Sequence, residues 1–410
     1  MQDKTLQKII SKEINRQKTC LNLIASENYP SPEVRKACGS VLMNKYSEGY
    51  PGARYYSGNE NIDLAEKLAQ KRARKLFELN EKIWEVNVQP YSGTPANLAV
   101  YSAILKNKND VALAMDLSGG GHLSHGYKLS ISARFFNFKH YGVDKNGFID
   151  YKNLEKLALK YRPKLIISGA SAYPRKIDYK KFKQVAERVK ALHLSDISHI
   201  AGLIAGKVLP SPFPYCDIVT TTTHKTLRGP RGAIIFMRKK WAKEINKAVF
   251  PGFQGGPHDQ QTAAIAVALK EAQQKNFKKY AYQVIKNAKV LAKELKKYQF
   301  RLITDGTDNH LILIDLRNLN ISGKEAEEML YRTKISVNRN IIPNDTNPPY
   351  RPSGIRIGTP AITTLGLKEK EMKIIADWIK KILFREENPE KIKKEVLGLL
   401  KTRAALKFFE

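Results

Sequence analysis

Cysteine is scarce. The chain of 410 residues holds three, Cys20, Cys38 and Cys216. They are odd in number, far apart and without a CxxC pair, which excludes a disulfide framework and the common zinc spacings. They read as inert thiols in a reducing compartment, and a cytoplasmic location is expected. No apolar run reaches about 18 residues, so no transmembrane helix is expected. The stretch Met1 to Gln7 lacks the apolar segment of a secretory signal. The 25 Gly and 19 Pro show no triplet period, and no repeats or low-complexity segments occur. Acidic residues are few: 39 Asp+Glu against 71 Lys+Arg, and 71 − 39 gives a formal net charge of +32. The lysines are dispersed, with no dense basic tail and no RNP-type aromatic motif. They read as a solvated surface, with no membrane and no specific nucleic-acid partner expected. Hydrophobic residues at 42% exclude a disordered chain.

What is present is an alternation of short apolar strands and amphipathic stretches. Strands are predicted at Val86–Gln89, Lys164–Ser168, Leu192–Asp196, Asp217–Thr222 and Ala233–Met237. Helices are predicted from Pro95 and over Tyr179–Lys190. This pattern implies an α/β domain with a mostly parallel sheet, whose ligands sit at the carboxyl ends of the strands. From Thr262 to Leu295 the apolar spacing is helical. A smaller α+β unit follows, with a strand at His310–Asp315, helices at Lys324–Tyr331 and Glu369–Leu383, and a loop at Pro343–Pro352. The expected division is an N-terminal arm (1–50), a large α/β domain (51–270) and a small C-terminal α+β domain (271–410).

Three segments carry chemistry at strand ends. Ser92-Gly93-Thr94-Pro95-Ala96-Asn97 suits a phosphate cradle at a helix start, with Thr94 as N-cap and Pro95 at the first helical position. An ordinary capped turn has the same composition. Asp196 ends an apolar strand, with His199 three residues on; a carboxylate there needs a cationic or N–H partner. In Thr220 to Gly232, Lys225 follows a strand beside Thr222 and His224, with Arg228 and Arg231 near enough in sequence to lower its pKa. A lysine amine, an acid and a phosphate cradle together suit pyridoxal phosphate.

The chain resembles serine hydroxymethyltransferases, fold-type-I pyridoxal-phosphate enzymes, from about Leu21 onward. The resemblance rests on Leu23-Ile24-Ala25-Ser26-Glu27-Asn28-Tyr29, Asn44 to Gly52, Arg54-Tyr55-Tyr56, Thr220 to Lys225, Phe250 to Pro257 and Ser353 to Pro360. It implies a fold-type-I transferase with a mostly parallel mixed sheet flanked by helices. It implies that Lys225 holds the cofactor as a Schiff base, that Asp196 pairs with the ring nitrogen and that His122 stacks on the ring. Ser171 and His199 would sit near the phenolic oxygen, with Thr222 and His224 among the cofactor contacts. Ser92, Gly93 and Thr94 would hold the phosphate, joined by Tyr46 and Gly256 from a neighbouring subunit. Arg356 and Ser26 would bind the substrate carboxylate. Glu48 would transfer protons, with Tyr55 and Tyr56 lining the same region. Leu117, Gly121, Leu123 and Asn340 would line the tetrahydrofolate site.

The implied reaction converts serine and tetrahydrofolate to glycine and methylenetetrahydrofolate in a homodimer with shared sites. The chain departs from the family pattern at Tyr127–Arg134 and Asn347–Tyr350, near the folate side. Competing readings are a folate-independent aldolase, a cofactor-binding relative with poor turnover, and a nucleic-acid-binding or structural protein without catalysis. His122 and His125 have the spacing of a metal pair, but no carboxylate or cysteine completes a recognisable ligand set. His193, inside an apolar strand, reads as a core histidine. Tyr55 and Tyr56 also suit core or interface positions.

Overall fold

A computed structural model describes residues 2–401 of the protein. They form two compact units. One runs from Pro30 to Tyr282, and the other joins the residues up to Tyr29 with those from Gln283 onward. This division differs from the one expected at residues 50 and 270. Leu21–Asn22 pairs in parallel with Ile335–Ser336, so the first residues are tied to the smaller unit by sheet hydrogen bonds. Residues 402–410 of the expected last segment lie outside the described residues. Among the described residues no helix is long and apolar enough to cross a membrane.

The larger unit is built on a seven-stranded sheet. In chain order its strands are β1 (Trp84–Asn87), β2 (Val111–Met115), β3 (Asn137–Tyr141), β4 (Leu165–Gly169), β5 (Leu192–Asp196), β6 (Ile218–Thr222) and β7 (Ala233–Arg238). Their order across the sheet is β1-β7-β6-β5-β4-β2-β3. The pairs from β6 to β3 are parallel, while β7 runs antiparallel to both neighbours. Both faces are covered. On β2, Ala112 and Ala114 enter one core while Leu113 and Met115 enter the other. On β4, Leu165 and Ile167 oppose Ile166 in the same way. Burial on two faces explains why these strands read as continuous apolar runs, and each buried Leu or Ile contributes roughly 1.5–3 kcal/mol.

Five expected strands are present within a residue or two, and β5 has the expected bounds. The sequence reading did not identify β2 and β3. β2 is alanine-rich, and β3 is an edge strand that mixes Asn, Lys and His with aromatics. The helical stretch after Gly256 is two helices, Asp259–Ala272 and Lys275–Lys297. The first closes where the Gln273 N–H reaches Lys270 and Glu271 carbonyls.

The smaller unit holds a four-stranded antiparallel sheet of β8 (Arg301–Leu302), β9 (Leu311–Asp315), β10 (Asn338–Asn340) and β11 (Gly354–Gly358), in the order β8-β9-β11-β10. Helix Gly323–Arg332 starts at a Ser322/Glu325 capping box, which satisfies donors at its first turn. Helix Glu369–Leu383 has the expected bounds and buries Met372, Ile375, Ile379 and Ile382 against the same core.

Candidate active site

Parallel strands bring three chain ends together. Gly169, Asp196 and Thr220 are register partners across β4, β5 and β6. The chemistry-bearing residues follow immediately: Ser171 after β4, Asp196 and His199 at the end of β5, Thr222, His224 and Lys225 at the end of β6.

Asp196 is largely buried at this edge, and protein groups supply its hydrogen bonds. Its Oδ2 accepts from Asn97 Nδ2 at 2.9 Å and lies 3.2 Å from His125 Nε2; its Oδ1 accepts from the Ser198 N–H at 3.0 Å. Burial by itself would raise this carboxyl. The hydrogen bond from His125, the pull of His125 and His122, and a hydrogen bond from the Ser198 side chain hold it far below the usual carboxylate range.

The donors are themselves oriented. Thr220 donates to Asn97 Oδ1 at 2.7 Å, turning the Asn97 amide nitrogen toward Asp196 and Ser124. Ser124 Oγ, accepting from Asn97, is 2.8 Å from His122 Nδ1, which also accepts from the Ser124 N–H at 3.1 Å. These bonds assign the His122 ring proton to Nε2. Likewise His125 Nδ1 accepts from the His122 N–H at 3.4 Å, so His125 Nε2–H donates to Asp196. The pair that resembled a metal site is therefore a hydrogen-bond relay ending on Asp196.

The segment expected to cradle a phosphate starts its helix earlier than expected. The helix runs from Gly93 to Ile104, and its N-cap is Ser92. Thr94 is not the cap, and Pro95 is the third helical residue, where the N–H is still outside the helical ladder and its loss costs nothing. Ser92 makes no side-chain bond to the helix N–H groups, which leaves them for an anion. Only glycine fits at 93: a Cβ would lie 2.8 Å from Thr222 Cγ2 and 3.9 Å from Ser198 Oγ. Asn97, expected in the cradle, serves Asp196 instead.

Around Lys225 the chain is buried. Burial, then the cations of Lys225 and Arg231, lower His224 to about 3, and its buried Nδ1 has no hydrogen-bond partner among the described residues. Ser171 Oγ and His199 Nε2 are 3.4 Å apart, and the Ser171 N–H donates to Gly120 O at 2.8 Å. The loop holding Leu117, Gly121 and Leu123 is thereby anchored at this edge. Gly121 is packed against Met115 and Asp116 carbonyls, while Leu123 is exposed.

A second group gathers on the segment 46–56. The Tyr46 ring lies against Gly256, 3.1 Å from where a Cβ would be, and Glu48 Oε1 stands equally close to Gly255. Tyr46 and Tyr56 meet edge to face at 5.1 Å, as do Tyr55 and Phe250 at 5.6 Å. Tyr55 is 75% exposed and Tyr56 48% in the single chain, so neither is a core residue. Tyr91, next to Ser92, reaches Gly256 O through its hydroxyl at 2.7 Å and stacks on His258 at 4.2 Å. Sequence reasoning missed Tyr91, as it missed the roles of His125, Ser124 and Ser198.

In the smaller unit, Arg356 on β11 bonds Asn338 Oδ1 at 3.1 Å and Ser26 Oγ at 3.5 Å. Burial lowers its guanidinium to about 10, so it stays cationic at neutral pH. Asn340 ends β10 with its amide donating to Ile341 O at 2.7 Å. His193 is a core histidine: its Nδ1–H donates to Tyr215 O at 2.9 Å, Nε2 accepts from Ser168 at 2.8 Å, and the ring stacks on Phe182.

A buried amine, a carboxylate kept ionised, a free helix N-terminus and an unpartnered buried imidazole nitrogen fit pyridoxal phosphate. Comparison with known proteins agrees. A family model described as serine hydroxymethyltransferase matches residues 1–379. A curated protein from Desulfotalea psychrophila named serine hydroxymethyltransferase is 52% identical over 382 residues, covering 93% of this chain and 89% of its own length.

Proposed function

This chain belongs to the serine hydroxymethyltransferase family, and from that premise we propose how its side chains divide the work. The activity is pyridoxal-phosphate-dependent: the hydroxymethyl carbon of serine passes to tetrahydrofolate, giving glycine and 5,10-methylenetetrahydrofolate. When bound, pyridoxal phosphate supplies an electron sink for the pair left as the serine Cα–Cβ bond breaks.

The residues around that sink hold and orient. Lys225 offers the amine that keeps the aldehyde in place. Ser92, Gly93 and Thr94 hold the phosphate at the helix N-terminus, with Thr222, His224, Tyr46 and Gly256 adding contacts. Asp196 stays ionised and faces the ring nitrogen, and His122 covers the ring with its proton fixed on Nε2. Ser171 and His199 hold the phenolic oxygen region. Arg356 and Ser26 bind the amino-acid carboxylate; a guanidinium fork matches its planar geometry. Glu48 moves the proton at the hydroxymethyl oxygen, beside Tyr55 and Tyr56. Leu117, Gly121, Leu123 and Asn340 line the folate.

The observation that carries this reading is the convergence of three donors on Asp196, at the strand edge that also bears the Lys225 segment. The test is serine-to-glycine turnover by wild type and Lys225→Ala, with and without tetrahydrofolate. Wild type is expected to need folate and Lys225→Ala to be inactive. Equal serine cleavage without folate would instead assign an aldolase.

We further propose a homodimer. Tyr46, Tyr55, Val41, Met43 and Leu64 are each more than half exposed in one chain, an unusual density of large apolar groups. Sedimentation at micromolar concentration should show a dimer; an active monomer overturns the shared-site arrangement. The three cysteines are free, which supports a cytoplasmic location; recovery in a periplasmic or membrane fraction would oppose it.

A further inference from the structure

Among the described residues Glu48 is held by hydrogen bonds to the backbone on either side, with none to its carboxylate. The carbonyls on either side, Ser47 O and Gly49 O, both accept from a single nitrogen, Arg54 Nη1, at 2.7 and 2.9 Å. The other Arg54 nitrogens go to the helix Glu60–Leu76: Nε to Asp63 Oδ1 at 2.8 Å and Nη2 to Glu66 Oε2 at 2.7 Å. From the opposite side Gln89 Nε2 donates to Gly49 O at 3.0 Å and to Glu66. Ser47 Oγ lies 2.8 Å from both Asp259 oxygens. The Tyr55 N–H closes the turn on Glu48 O at 3.0 Å. Gly49 has φ +96°, and a Cβ there would run into Ala53 O, so the turn is specific to its sequence.

Stability alone is a poor explanation for this arrangement. The Arg54 and Glu66 side chains are 4% and 2% exposed, and Asp63 and Asp259 crowd the same cation. Burial raises both the Glu66 and Asp259 carboxyls against the pull of Arg54. Apolar packing of equal volume often stabilises as well as a buried ion pair. What a guanidinium offers in addition is direction. Four of its five N–H groups are spent in fixed geometry, two on the Glu48 turn and two on a rigid helix.

We infer that Arg54 is a positioning residue for Glu48, setting where its carboxylate is delivered. The inference rests on the reading of Glu48 as the proton-transfer group. Lysine cannot replace Arg54, because one ammonium cannot span both carbonyls and the helix acids.

The test is a double-mutant cycle on the holoenzyme with Arg54→Lys and Glu48→Gln. It measures kcat and KM with serine and tetrahydrofolate, the pH–rate profile, and the cofactor absorbance. Arg54→Lys is expected to lower kcat by roughly 10- to 100-fold, since small misplacements of a reacting group cost that much. It should shift the pH limb that Glu48→Gln abolishes and leave cofactor absorbance unchanged. In the Glu48→Gln background the same change should cost less than about 2-fold. An equal loss in both backgrounds overturns the inference, as does a loss of thermal stability with kcat intact. If Glu48→Gln alone is fully active, the reading of Glu48 fails instead. Should Arg54→Lys not fold, Gln89→Met withdraws one donor from Gly49 O, and a loss of roughly 3- to 10-fold that vanishes in Glu48→Gln is expected.

Discussion

Two acidic groups of the larger unit are held in opposite ways. Asp196 collects its hydrogen bonds on the carboxylate itself, from Asn97, His125 and the Ser198 N–H. Glu48 collects them on the backbone either side, and among the described residues its side chain has no hydrogen bond. The difference matches the roles proposed for the two groups. A charge that must persist beside a ring nitrogen needs donors that stabilise the ionised form. A carboxyl that must take up and release a proton is better left unclamped while its position is fixed.

The comparison is broken most severely at Asp196. Asp196→Asn keeps the shape and removes the charge proposed to hold the ring protonated. The expected loss in kcat is on the order of 10³, in the range seen when a preorganised electrostatic partner is removed. Activity within a few-fold of wild type would mean that the donors on Asp196 serve packing only. The matching change at Glu48, to Gln, should spare cofactor absorbance, which Asp196→Asn should alter.

His193 sharpens the contrast, because it lies on β5 with Asp196 and is fully buried. There burial outweighs the Tyr215 carbonyl and the charge of Asp217, and it lowers the imidazole to about 4 from the usual 6.5. A depressed histidine takes up its proton in the unfolded chain first. Its contribution is therefore complete above about pH 6.5 and is lost as pH falls toward 4, amounting to roughly 3 kcal/mol. His224 acts in the same direction, while Glu66 and Asp259, raised by burial, act in the opposite one. The readout is therefore the difference between wild type and His193→Gln in urea midpoint at pH 7.5 and 4.5. The variant should lose less on acidification; equal losses would count against this account. Asp196, being depressed, contributes nothing in that window, since its stabilisation fades only below the ordinary carboxylate range.

These clusters were unequally legible. Asp196 and Lys225 stand out in the sequence because a polar residue ending an apolar run, at the carboxyl end of a strand, has few structural reasons to be there. Glu369–Leu383 is legible through its 3.6-residue period. The partners were not. His125 reaches Asp196 from 71 positions away, and nothing in the local spacing distinguishes a ring that binds a metal from one that donates to a carboxylate. Thr94 looked like a cap because it precedes a proline, yet the helix starts two residues earlier, at Gly93, where a Cβ would press on Thr222. The Arg54 network joins loop, helix and strand, so no single stretch displays it.

The smallest effect separates the clusters most cleanly. Asn97→Ala removes one of three donors to Asp196 and releases Ser124, leaving Lys225 and the cradle intact. A lost hydrogen bond to a charged acceptor is worth about 1.5 kcal/mol, so the apparent cofactor dissociation constant should rise about 10-fold. Absorbance titration of the apoenzyme measures it. Ser47→Ala removes a comparable bond, from Asp259 beside Glu48, and should leave cofactor affinity within about 2-fold while lowering kcat. If both substitutions weaken the cofactor alike, the two carboxyls share one network and the distinction between holding a charge and placing a proton does not apply. If only Asn97→Ala does, the donors on Asp196 act on the cofactor and those around Glu48 on the chemistry, as the separate hydrogen-bond patterns require.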